Sequence, residues 1–213
     1  MRQLSLAALL APLVFAQDGA ARALDLAVAS YASVRTARAS FEQSVTNPLT
    51  GSTLKSRGEF RQARPDRFAF RFTDPQGDAI ISDGKFVWIY LPSSAPGQVM
   101  RAPVASDAVG SLDLIGEFFT NPRTRYTFAD GGVAKLDGHD VHLVLLAPKG
   151  KDAAFTKAKV WIDAASGALR QFEAEEASGI VRTVKIVAFA PNADVGAGAF
   201  AFKVPRGVRV IDR

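Results

Sequence analysis

The stretch FAFRFTDPQGDAIISDGKFVWIYL, Phe68 to Leu91, decides the fold class. Side chains alternate across a strand, so Phe68, Phe70 and Phe72 share one face of the first apolar run. In the last run Phe86, Trp88 and Tyr90 share one face, and Val87, Ile89 and Leu91 share the other. Ser82-Asp83-Gly84 between them is a tight hairpin signal. Two aromatic-rich strands in tandem either fill a core or line a cavity for an apolar guest.

The same pattern extends outward. Alternation begins near Ala37, with Phe41, Gln43 and Val45 on one face, and Asn47 to Ser52 (NPLTGS) reads as a turn. Strands are expected at about residues 54–63, 66–73, 79–82, 85–91, 98–102, 126–129, 133–136, 140–147, 158–163, 168–176, 180–189 and 200–204. Turn signals recur at Asp130-Gly131-Gly132, Asp137-Gly138, Pro148-Lys149-Gly150, Ser166-Gly167 and Ser178-Gly179. Helical spacing occurs in two places. Leu24 to Arg35 puts Leu24, Val28, Tyr31 and Ala32 on one face, and Ser106 to Phe119 is largely apolar. Gly110 and Gly116 weaken the second helix. Short strands joined by hairpins, without alternating helices, predict one mainly β domain with a single antiparallel sheet in meander order.

The chain start reads as an export signal. Arg2 precedes an apolar run from Leu4 to Phe15, which is too short for a membrane span. Small residues permit cleavage after Ala16 or after Ala23, and the first ends the apolar run directly. The expected organisation is a signal peptide over residues 1–16 (or 1–23) and one domain over 24–213. The chain has no cysteine, which excludes a lipid anchor on cysteine, disulfides and thiol chemistry. With 213 residues and 48% hydrophobic content it can build a sizeable core without them. The expected compartment of the mature product is the periplasm or the space outside the cell.

The net charge is +5, or +4 once Arg2 is removed (25 basic minus 21 acidic). Arg57, Arg61, Arg64, Arg67 and Arg71 read as a solvated sheet face. A basic surface also suits an acidic partner or an anionic lipid surface. No basic stripe with interleaved aromatics points to nucleic acid.

Catalytic chemistry is not evident. His139 and His142 fall on opposite faces of a strand and have no third ligand, so no metal site is expected. Glu173, Glu175 and Glu176 read as a solvated face. No nucleophile elbow, phosphate loop or dinucleotide fingerprint appears. No enzyme activity and no cofactor are expected. Arg64 stands apart, because Pro65 holds it extended at the start of the aromatic strand. Pointed into an apolar cavity, its five donors need carbonyl or carboxylate partners.

An ordered set of blocks resembles the periplasmic outer-membrane lipoprotein carrier family, LolA. These blocks are Ser40-Phe41-Glu42-Gln43, Gly58-Glu59-Phe60 and Arg64-Pro65-Asp66-Arg67-Phe68. Ser82-Asp83-Gly84-Lys85 with Val87-Trp88-Ile89-Tyr90 follows, and then Phe200 to Val208. The resemblance spans essentially the whole chain after the signal. It implies a strongly curved, incompletely closed antiparallel barrel, with helices as a lid over an apolar cavity. The lid elements would be Leu24 to Arg35 and Val109 to Phe119, and Arg64 would hydrogen-bond lid backbone and steady the closed state. The expected cavity residues are Phe68, Phe70, Phe72, Trp88 and Tyr90, facing Leu112, Leu114, Ile115 and Phe118. Three features depart from the pattern: the lid helix lacks the proline that often starts it in the family, it carries Gly110, Asp113 and Gly116, and the loop from Asn47 to Thr53 is longer than a tight turn needs.

The implied function is a monomeric, non-enzymatic carrier of lipid-modified lipoproteins. It would receive them from an inner-membrane ABC exporter and deliver them to an outer-membrane receptor lipoprotein. Two other readings remain at this level: a lipid- or lipoprotein-sensing module of the same fold, and a carrier of free lipid.

Overall fold

The computed structural model describes residues 13–104, 115–150 and 153–213. Helix α1 (Leu13–Ala32) is followed by six strands: β1 (Thr36–Asn47), β2 (Ser52–Ala63), β3 (Arg67–Asp74), β4 (Gln76–Asp83), β5 (Phe86–Tyr90) and β6 (Gln98–Pro103). Two short helical turns, α2 (Gly116–Phe119) and α3 (Pro122–Arg125), lead into β7 (Tyr126–Leu136), β8 (His139–Pro148), β9 (Lys157–Asp163), β10 (Leu169–Glu175) and β11 (Val181–Pro191). The chain ends on β12 (Arg209–Asp212).

These strands form one curved, open sheet in the order β12-β6-β5-β4-β3-β2-β1-β11-β10-β9-β8-β7. It consists of two meanders, β1 to β6 and β7 to β11, joined by the antiparallel β1–β11 ladder. The two edges, β12 and β7, do not meet. The hairpin turns fall where the glycines and aspartates require them. In the β4–β5 turn, Asp83 Oδ1 accepts the backbone N–H groups of Lys85 and Phe86, both at 2.8 Å.

The sheet buries apolar side chains on both faces. The concave face carries the main core, with Phe41, Phe60, Phe68, Phe70, Val87, Val144, Val160, Ile162 and Phe172 packed under Leu24, Ala27 and Tyr31 of α1. The convex face carries a smaller cluster of Ala63, Ala69, Ala79 and Ile81, covered by Ala199 and Phe200.

Several expectations change here. Residues 200–204 are not a strand. They belong to an irregular strap crossing the convex face between β11 and β12. The strap has no ladder to satisfy its carbonyls, so arginines do so. Arg71 Nη2 donates to the carbonyls of Ala199 (3.3 Å) and Ala201 (3.2 Å), and Arg61 Nη1 donates to that of Val195 (3.3 Å). Arg67 lies 5.4 Å from the Phe200 ring. The arginine run therefore fastens the strap and is not simply a solvated face. β12 departs from the meander, since it pairs parallel with β6 and is clasped by Arg101 and Asp212 at 2.6 Å. Expected strands 126–129 and 133–136 are one strand, β7, with an irregularity between Asp130 and Val133. Helix α1 begins well before Leu24. Of the expected second lid helix, residues 105–114 lie outside the described residues, and the described end is α2.

Candidate lipid-binding interior

The floor is built from consecutive strand positions of one parity. Phe60 on β2 and Phe70 on β3 are directly paired in register, with ring centroids 4.6 Å apart. Phe41 on β1 meets Phe70 and Phe72 edge-on, at 5.7 Å and 5.5 Å. Phe68 completes the row at 6.0 Å from Phe70. Gly58 makes this layering possible. A Cβ there would collide with the Arg71 carbonyl oxygen, so β3 approaches as closely as it does only because the residue is glycine.

The roof is α1 and the segment Ile115 to Phe119. Tyr31 of α1 meets Phe119 at 6.3 Å. Phe118 does not face the β3 floor directly. It packs on the opposite wall, 5.0 Å from Phe172 and 5.6 Å from Phe155. Ile115 and Phe118 belong to the same buried cluster as Phe68 and Phe70, while Phe72 is partly buried against it. Leu112 and Leu114 lie outside the described residues.

Trp88 and Tyr90 are on the other side of the sheet. Val87 and Ile89 take the concave positions. Trp88 stacks on Phe202 of the strap at 5.4 Å, and Tyr90 meets the same ring at 5.8 Å. The Trp88 indole N–H donates to Asp83 Oδ2 at 3.0 Å. Grouping Trp88 and Tyr90 with the phenylalanines of β3 was therefore incorrect. Cross-strand register decides the face, pairing Trp88 with Ile81 and Ile89 with Ile80. Sequence parity within β5 alone leaves the choice of face open.

Arg64 meets α1 at its C-terminal end. Its Nη1 donates to the carbonyls of Tyr31 (3.1 Å) and Val34 (3.2 Å), and its guanidinium lies 3.9 Å from the Tyr31 ring centroid. The last turn of α1 contains no basic residue of its own. Carbonyls at a helix C-terminus lack intrahelical partners and favour a cation. Arg64 supplies that cation from the end of β2, and so ties the helix to the floor.

A second polar tie was not anticipated from the sequence. Glu117 of α2 is buried and ion-paired with Arg125. The Tyr126 hydroxyl donates at 2.8 Å to the Glu117 carboxylate and lies 2.9 Å from its backbone carbonyl. Arg125 Nη1 donates to that carbonyl at 2.7 Å. Burial, then the bond to Glu117, pushes the Tyr126 phenol above its ordinary range, so it stays a donor. The signal was available: one carboxylate among the apolar residues Ile115 to Phe119, with Arg125-Tyr126 shortly after.

Among the described residues, an opening of about 20 Å³ lies between α1, α2 and the sheet, bordered by Ala27, Tyr31, Ile115, Phe119, Leu169 and Phe189. That is room for about one water molecule. Among the described residues, no group of three or more His, Asp or Glu side chains is placed to hold a metal. His142 instead pairs with Asp130 at 3.0 Å, and His139 with Asp163 at 3.2 Å.

Known proteins agree with this architecture. A family model described as "Outer membrane lipoprotein carrier protein LolA" matches residues 32–203. An outer-membrane lipoprotein carrier protein from Methylibium petroleiphilum is 31% identical, with 90% of each chain covered. One from Ralstonia nicotianae is 31% identical over 92% of this chain and 88% of its own. Among solved structures, an uncharacterized conserved protein from Thermus thermophilus shares the fold at 14% identity. Its TM-score is 0.57, covering 91% of this chain and 99% of that one. The chain thus belongs to the LolA family of outer-membrane lipoprotein carrier proteins.

Proposed function

We propose that this protein is a non-enzymatic periplasmic carrier that shields the acyl chains of lipoproteins. In this reading it takes them from an ABC exporter at the inner membrane and hands them to an outer-membrane receptor lipoprotein. The observation that carries the reading is the apolar interior between the phenylalanine floor and the α1–α2 roof, with Arg64 bonded to two backbone carbonyls at the end of α1.

The energetics suit a carrier. Burying an acyl chain returns about 0.8 kcal/mol per methylene. A preformed cavity that kept all of this would not release its cargo. A filled interior makes the protein break its own apolar contacts before cargo can enter, which offsets part of the gain and leaves the exchange near balance. No bond is made or broken, so no acid, base or nucleophile is required.

The test is to isolate the protein from its native periplasm and identify what is bound by mass spectrometry. A hand-off assay to the purified receptor follows. Bound triacylated or diacylated protein that transfers to the receptor is the expected result. Bound free phospholipid, with no transfer of lipoprotein, would replace the reading with a lipid carrier.

A further inference from the structure

The β1–β2 hairpin is a feature the carrier reading leaves unused. Pairing of β2 with β3 stops at Arg57 opposite Asp74, whereas pairing of β2 with β1 continues to Ser52 opposite Asn47. Residues 52–56 therefore overhang β3 by about 16 Å, at roughly 3.3 Å per residue. At the tip Leu49 is 88% exposed, and beside it Leu54 is 74% exposed. A lone surface leucine needs no explanation, but two at one projecting tip do.

Three further observations say what covers them. First, residues 43–58 contain no Asp or Glu and include Lys55, which suits an anionic surface, while Arg57 in the same run is paired with Asp74. Second, the tip's polar groups are already paired with one another. Thr46 and Thr53 hydroxyls are 3.0 Å apart, those of Thr50 and Ser52 are 2.7 Å apart, and Asn47 Oδ1 accepts the Leu49 N–H at 3.0 Å. Locally satisfied groups are cheaper to dehydrate. Third, Leu54 has the same strand parity as Phe60, and it sits opposite Val45, which has the parity of Phe41. The apolar face of the tip continues the concave face that holds the core.

We infer that the β1–β2 hairpin tip is a membrane-contact element that inserts Leu49 and Leu54 shallowly into the anionic headgroup region of a bilayer. It would set the concave side of the sheet against the lipid surface. The purpose of the contact rests on the carrier reading; the contact itself does not.

The chain lacks cysteine, so Leu49→Cys labelled with a polarity-sensitive fluorophore reports on this position alone. Val133→Cys on edge strand β7, 81% exposed, is the control. Unloaded protein is mixed with vesicles of phosphatidylethanolamine and phosphatidylglycerol containing no lipoprotein. We expect a blue shift and brightening at position 49 and none at position 133. In flotation, Leu49→Asp should reduce vesicle partitioning about tenfold with an unchanged melting curve. The inference is overturned if the label at 49 stays in water, if both labels respond equally, or if only a purified protein partner produces the shift. Because no lipoprotein is present, failure here leaves the carrier reading intact. Loss of hand-off with vesicle contact preserved would count against the carrier reading alone.

Discussion

Replacing Arg64 with leucine tests how the roof is held. The change removes two charge-assisted hydrogen bonds to the Tyr31 and Val34 carbonyls and the contact with the Tyr31 ring. Bonds to a charged donor contribute about 1.5–3 kcal/mol, and a partly exposed ring contact about 0.5–1 kcal/mol. Arg64 is only half-buried and one guanidinium nitrogen serves both carbonyls, so the pair is counted as a single bond at the low end, about 1.5 kcal/mol, which with the ring contact gives about 2 kcal/mol. If these contacts exist only in the closed form, the open fraction rises about thirtyfold, since 1.4 kcal/mol is tenfold. Apparent affinity for an acyl ligand rises by the same factor while the open form remains the minor one. Titration with a fluorescent fatty acid should show this tightening, and a receptor hand-off assay should show slower release. Arg64→Lys, which keeps the charge but not the fork, should fall between. An unchanged ligand affinity together with a lowered melting temperature would refute the reasoning, leaving Arg64 as a helix cap that stabilises the fold and gates nothing.

Other outcomes follow from specific contacts. The mature N-terminus should be Gln17, not Leu24, because Ala20 is fully buried and a Cβ on Gly19 would come within 2.7 Å of His142; intact-mass analysis of periplasmic protein checks this, and a start at Leu24 would contradict it. Trp88→Ala should lower the melting temperature while leaving acyl-probe affinity within about twofold, because Trp88 packs on the strap. Phe70→Ala should alter the affinity itself, at a cost of about 3–5 kcal/mol in stability. Burial alone pushes the Asp163 carboxyl up, but the Ser166 amide, Arg170 and the Ser166 hydroxyl outweigh it and hold it at about 2. A depressed folded value stabilises the protein above the unfolded carboxylate range, and that stability is lost as pH falls from about 4 toward 2. Acid unfolding of Asp163→Asn, followed by circular dichroism, should be flatter over that interval; an unchanged slope would count against the assignment.

The sheet was legible because turn chemistry and alternation are local. Every hairpin from β1 to β5 and from β7 to β11 has its Gly, Asn, Asp or Pro signal in the sequence, and the helical spacing around Tyr31 identified α1. The side of the sheet taken by each strand was less legible. Phe68 and Trp88 have equally clear patterns, yet they lie on opposite faces, because a sheet buried on both sides offers two cores. The Phe200-Ala201-Phe202 motif alternates like a strand and is a strap instead. Its partners are arginine side chains distant in sequence, with no neighbouring ladder. Glu117 was overlooked for a similar reason, since a single acid in an apolar run has meaning only once Tyr126 is seen to reach it.

The tight packing of the described roof on the floor bears on selectivity. A preformed pocket acts as a ruler: it has a length and rejects what does not fit. Among the described residues the opening between α1, α2 and the sheet is about 20 Å³, so under the proposed function cargo would make its own space there by parting the phenylalanine floor from the roof. Such a site has no fixed depth against which to measure an acyl chain. Chains of different length or unsaturation should then be accommodated with small differences, each extra methylene displacing its own share of protein contact. Discrimination among lipoproteins would have to come from elsewhere, in the steps before loading or in the folded part of the cargo outside the sheet.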